Sequence, residues 1–87
     1  WTIAGKRLAE NFMIQDGKMD RSEIDEVLKQ GELVYGTGQD VELTGKLAVL
    51  IHGTAMVGSE KVQPGVVKDQ ATCKLHNGSR MFICERS

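Results

Sequence analysis

His52 and His76 are the two imidazoles of this chain, and with Lys74, Arg80 and Thr54 they make a set of side chains suited to acid–base chemistry on a phosphodiester. Such a reaction uses one imidazole to deprotonate a 2′-hydroxyl, a second to protonate the leaving oxygen, and a cation to stabilise the phosphorane. The same residues have ordinary readings. His52 closes an apolar run and His76 stands beside a turn, places where an imidazole serves as a half-buried polar group. Charge argues against a nucleic acid as substrate or partner: 11 Lys and Arg against 12 Asp and Glu leave −1, so no uniformly basic surface meets a phosphate backbone.

The two cysteines, Cys73 and Cys84, flank Asn77-Gly78, a dipeptide favoured in two-residue hairpin turns. A tight turn there pairs Cys73 with Phe82 and sets the sulfurs diagonally, beyond the usual Cα limit of about 7 Å for a disulfide. A four-residue loop from Asn77 to Arg80 instead puts Cys73 across from Cys84, where a bond can form. Both registers are open. A bonded pair implies a secreted or periplasmic chain, whereas two buried free thiols imply nothing about compartment. The spacing is not that of C-x-x-C redox or zinc sites, and no metal or cofactor is expected.

Asp16-Gly-Lys-Met-Asp-Arg-Ser-Glu23 looks like the second half of a calcium-binding EF-hand loop. Its first and third ligand positions would be Phe12 and Ile14, which offer no oxygen, so capping chemistry is the better account of Asp20 and Glu23. Gly36-Thr-Gly-Gln-Asp40 lacks the spacing and the helix of a phosphate-cradling loop. Asn77-Gly78-Ser79 fits the N-glycosylation pattern, but turn chemistry explains the same three residues.

Those residues need elements to position them. Apolar residues at Ile3, Ala4, Leu8, Phe12 and Met13 predict a helix over 3–14, broken by a turn at Gln15-Asp16-Gly17. Asp20 with Glu23 forms a variant capping box, Met19 and Ile24 a hydrophobic staple, and Gly31 a left-handed stop, which predict a helix over 21–30. From Glu32 onward short apolar or alternating runs predict strands at 33–35, 41–43, 47–52, 55–57, 66–67, 71–75 and 81–84. Leu47 to Ile51 is apolar on both alternating faces and predicts a central strand, covered by helices on one side and by sheet or a partner on the other. Phe12 and Tyr35 are assigned to the core, Trp1 to a docked or cut terminus, and Met56 and Met81 to gap filling or a partner surface.

With 87 residues, 40% apolar and 26% charged, the chain is expected to be one globular domain over 1–87, and its longest apolar run is far too short to span a bilayer. Beginning at Trp1 without a basic-then-apolar leader, it reads as a processed chain or an excised domain. The expected fold is α+β: two N-terminal helices packed on one face of an antiparallel sheet of about five strands that ends in a C-terminal hairpin. The expected function is non-enzymatic binding of another protein chain, through a sheet edge at Ala55-Met56-Val57 and the loop Gly58 to Val66. The alternative is a small metal-independent hydrolase, a ribonuclease-type toxin using His52 and His76 with Lys74 and Arg80.

Overall fold

The structure, a computed structural model, describes residues 3–16, 19–67 and 72–85. The expectations for Trp1, Gly17 and Ala71 lie outside the described residues. Helix α1 (Ile3–Asp16) and helix α2 (Arg21–Gln30) stand where the apolar spacing predicts them, the first running two residues further. Asp20 caps α2, its Oδ1 accepting from the Glu23 amide at 2.9 Å. Ile24 and Val27 are buried against the sheet, with Met19 packed beside them. Gly31 ends α2 in an extended conformation, φ −77°, and not the left-handed one expected. Its missing Cβ serves packing: a methyl group there would enter the ring of Phe82.

Eight strands follow among the described residues: β1 (Glu32–Tyr35), β2 (Asp40–Glu42), β3 (Lys46–His52), β4 (Ala55–Val57), β5 (Glu60–Val62), β6 (Gly65–Val67), β7 (Thr72–Leu75) and β8 (Arg80–Glu85). They form two four-stranded antiparallel sheets, ordered β1-β8-β3-β6 and β2-β7-β4-β5, in place of the one sheet of about five strands expected. The two orders match once the strands are taken in pairs. β1 and β2, β3 and β4, β5 and β6, and β7 and β8 are halves of four long ribbons, each bending once and so lending one half to each sheet.

The helices cover one face of the first sheet and the second sheet covers the other. Val49, Ile51, Phe82 and Cys84 pack with Ala9, Met13, Ile24 and Val27 of the helices, while Ala48, Leu50, Met81 and Ile83 pack with Leu43, Cys73 and Leu75. β3 lies inside its sheet between β8 and β6, as its two apolar faces require. No helix among the described residues is long and apolar enough to cross a membrane.

The C-terminal hairpin does not form. β7 pairs with β2 and β4, β8 with β1 and β3, and the two never pair with each other. A type I′ hairpin turn needs φ > 0 at both central residues, but only Gly78 has it, at 85°. The Ser79 amide donates to the His76 carbonyl at 3.0 Å, so the turn is of type II, whose twist splays the flanking strands instead of joining them. A tight hairpin does form at Gly58-Ser59, between β4 and β5.

That splay also parts the cysteines. Cys73 is buried between the two sheets and Cys84 is buried under the helices, and no disulfide joins them. Burial, with a smaller push from the Asp40 carboxylate, raises the Cys73 thiol above its ordinary pKa. At the β2–β3 turn the opposite happens to Glu42, whose carboxyl is held below its usual range by the Thr44 hydroxyl first, then by the Thr44 amide and the Thr72 hydroxyl.

Candidate binding surface at the bend and the β1 edge

Three of the ribbons bend at one level, which brings together residues 36–39, 53–54 and 76–79. Main-chain bonds knit them: the Gly36 amide donates to Ser79 O at 2.7 Å, Gly78 to Gly36 O at 3.1 Å, and His76 to Thr54 O at 3.3 Å. Ser79, 2% exposed, sits against Gly53, just past the point where the β3–β8 register shifts between Leu50 and His52. Its hydroxyl donates to Thr54 O at 2.8 Å and accepts from the Thr54 amide at 3.0 Å, so both Thr54 backbone groups have a partner there. A serine so engaged is a pin for the backbone and is not free to act as a nucleophile.

The histidines stand at this same corner, His52 at the end of β3 and His76 just after β7. His76 is half-buried, and its Nδ1 shares a hydrogen bond with Thr54 Oγ1 at 2.8 Å. His52 is exposed and lies opposite Arg80. The two imidazoles therefore have different partners. Lys74 is set apart from Arg80 on the other sheet, in a cross-strand row with Asp40, Met56 and Lys61, on the face turned away from buried Cys73 and Leu75. Clefts of about 320 Å³, lined by Gln30, Glu32, Lys46, Ile83 and Glu85, and about 220 Å³, between Phe12 and Pro64, include neither histidine.

Arg80 faces Tyr35 on one side and His52 on the other, so Tyr35, Arg80 and His52 form one row across β1, β8 and β3. Tyr35, assigned from sequence to the core, is 56% exposed. The Arg80 guanidinium carbon lies 5.5 Å from the centre of its ring, within cation–π range. Among the described residues Arg80 has no ion pair with a carboxylate.

Tyr35 also stands on an edge strand. The Gly36 amide bonds toward β8, so by alternation Val34 and Glu32 turn their backbone groups inward, while Leu33 and Tyr35 turn theirs outward. Gln39 confirms the direction: its Nε2 donates to the outward Tyr35 carbonyl at 2.8 Å, while its Oε1 accepts from the Thr37 amide and hydroxyl. Among the described residues, the Leu33 N–H and C=O and the Tyr35 N–H are the outward groups that remain.

The edge expected at Ala55-Met56-Val57 is not an edge. β4 lies between β7 and β5, and the stretch expected to be a loop supplies β5, an outer strand, and the start of β6, which was expected as a strand over 66–67. Of the four edge strands, β1 is the longest, at 4 residues against 3 for β2, β5 and β6. β5 carries Glu60 and Lys61, charges of the kind that discourage pairing, and α1 packs against β6. Sequence reasoning singled out His52, His76, Arg80 and Thr54 but missed Tyr35 and Gln39. The available signal was a tyrosine placed directly before Gly36-Thr37-Gly38, where the strand leaves the cover of the helices. No protein-family model and no curated protein matches this chain.

Proposed function

We propose that this chain is a non-enzymatic protein-binding module that takes an extended segment of its partner as an added strand on β1. The observation that carries the reading is the coincidence, on one edge strand, of outward backbone groups at Leu33 and Tyr35 with a tyrosine side chain that is 56% exposed. Main-chain bonds to the Leu33 amide and carbonyl and the Tyr35 amide supply affinity of roughly 0.5–1.5 kcal/mol each. Tyr35 supplies the anchor, since tyrosine loses little conformational entropy on contact and is enriched among residues that dominate binding energy. The Gln39 side chain, by occupying the Tyr35 carbonyl, blunts the same edge against indiscriminate pairing.

Capture of the partner by the whole chain, followed by titration with the purified partner, tests this. Tyr35→Ala is expected to weaken binding by about thirtyfold, equivalent to about 2 kcal/mol. Thermal unfolding should stay within about 1 kcal/mol of the parent, because the side chain is exposed. A partner bound equally well by Tyr35→Ala would contradict the proposal.

The competing reading, a ribonuclease-type hydrolase, draws on the Thr54 hydroxyl that orients His76 and on Arg80 beside His52. Joint replacement of His52 and His76 by alanine separates the two. Partner binding and biological effect survive it if the chain is a binding module, whereas loss of the effect with the fold intact points to catalysis.

A further inference from the structure

Arg80 belongs to β8, one strand in from the edge, yet its guanidinium lies over the ring of Tyr35 on β1. The charge is thereby placed within reach of the Tyr35 side chain, beside which a strand added to β1 would lie. This reach is set by register. Alternation from Gly36 makes Tyr35 and Arg80 a non-hydrogen-bonded pair, the kind in which facing side chains are closest.

A guanidinium within cation–π range of an aromatic ring has N–H donors left for a carboxylate, which can accept two of them. The acidic residues of the same ribbon are placed elsewhere: Asp40 and Glu42 lie on β2, opposite Lys74 and Thr72, and Glu32 lies at the far end of β1, opposite Ile83. Resting on the edge-strand reading above, we infer that the partner is an acidic extended segment, with an Asp or Glu side chain on the residue that pairs with Tyr35, received by Arg80.

The probe is a displayed library of random short peptides, panned against the whole chain, with backbone amide shifts of the labelled protein locating each recovered peptide. Peptides that shift the Leu33 and Tyr35 amides are expected to carry Asp or Glu at one fixed position. Changing that residue to Asn or Gln should weaken binding about tenfold on the parent and not on Arg80→Gln, and added salt should erode the same difference. Peptides that add at β1 without acidic preference, or whose acidic preference survives Arg80→Gln, would overturn the acidic-partner inference and leave the edge-strand reading in place. Recovery of no peptide, or only of peptides that shift amides elsewhere, would overturn both.

Discussion

Phe82→Ala is expected to remove about 3–5 kcal/mol of stability, the usual range for emptying a fully buried aromatic site. The ring is 0% exposed and sits where three elements meet: Leu33 of β1 and Val49 of β3 flank it in register, and Gly31 after α2 leaves it room. Phe82 is one of the residues, with Val49, Ile51 and Cys84, on which the helices pack. Against a total of roughly 4–13 kcal/mol for a chain of 87 residues, such a loss would leave a large unfolded population. Denaturant titration checks it, with Phe82→Leu as the companion. Leucine keeps most of the apolar volume and should cost about 1–2 kcal/mol. An alanine variant within about 1 kcal/mol of the parent would mean that the helices do not close on this ring.

The second large effect is expected at the bend. Gly53 has φ +90°, and a Cβ there would overlap Ser79 at its Cα, Cβ and Oγ. Gly53→Ala therefore adds about 1–3 kcal/mol of backbone strain and also displaces the hydroxyl that holds both Thr54 backbone groups. Losing those bonds at a part-buried site costs about a further 1–3 kcal/mol. The two contributions can be separated in a double-mutant cycle. Ser79→Ala alone should show only the second, and Gly53→Ala introduced into Ser79→Ala should cost less than in the parent, because the hydroxyl is already gone. Additive effects would show that Ser79 does not pin the bend.

How much of this was legible from the residues follows from where local chemistry and tertiary context agree. Asp20, Glu23, Met19 and Ile24 act within a single turn, and the start of α2 reads directly from them. Leu47 to Ile51 is apolar on both faces because each face has its own cover, so its central place was also visible. Asn77-Gly78 was misleading, since the same dipeptide suits a hairpin of type I′ and a bend of type II, and the choice is made by pairing with β4 and β1, far along the chain. One turn type joins β7 and β8 into a hairpin; the other sends them to different sheets.

Three further expectations failed for related reasons. Glu60-Lys61-Val62 was taken for loop because a charged edge strand has the composition of one. With β5 unseen, β4 appeared to be an edge. Tyr35 reads as core because it follows apolar Leu33 and Val34 in one strand, and the glycines at Gly36 and Gly38 are the local sign that the cover of the helices stops there. Of the candidate site, His52, His76, Arg80 and Thr54 were identified by chemical type, and the bend does gather them at one corner. Their partners were not legible: Arg80 lies within cation–π range of Tyr35, and His76 bonds to Thr54 across 22 residues of sequence.

Everything proposed for the β1 edge depends on β8 leaving β7 at the bend and lying beside Tyr35. Contacts between backbone Hα protons, measured by nuclear Overhauser effects on the labelled chain, report this directly, because facing residues of a non-hydrogen-bonded antiparallel pair hold their Cα atoms about 4.5 Å apart. A strong Hα contact between Tyr35 and Arg80, with none between Leu75 and Arg80, is the predicted result. A strong Leu75–Arg80 contact with no signal from Tyr35 would mean that the two strands close as a hairpin, and the edge built on their separation would not exist.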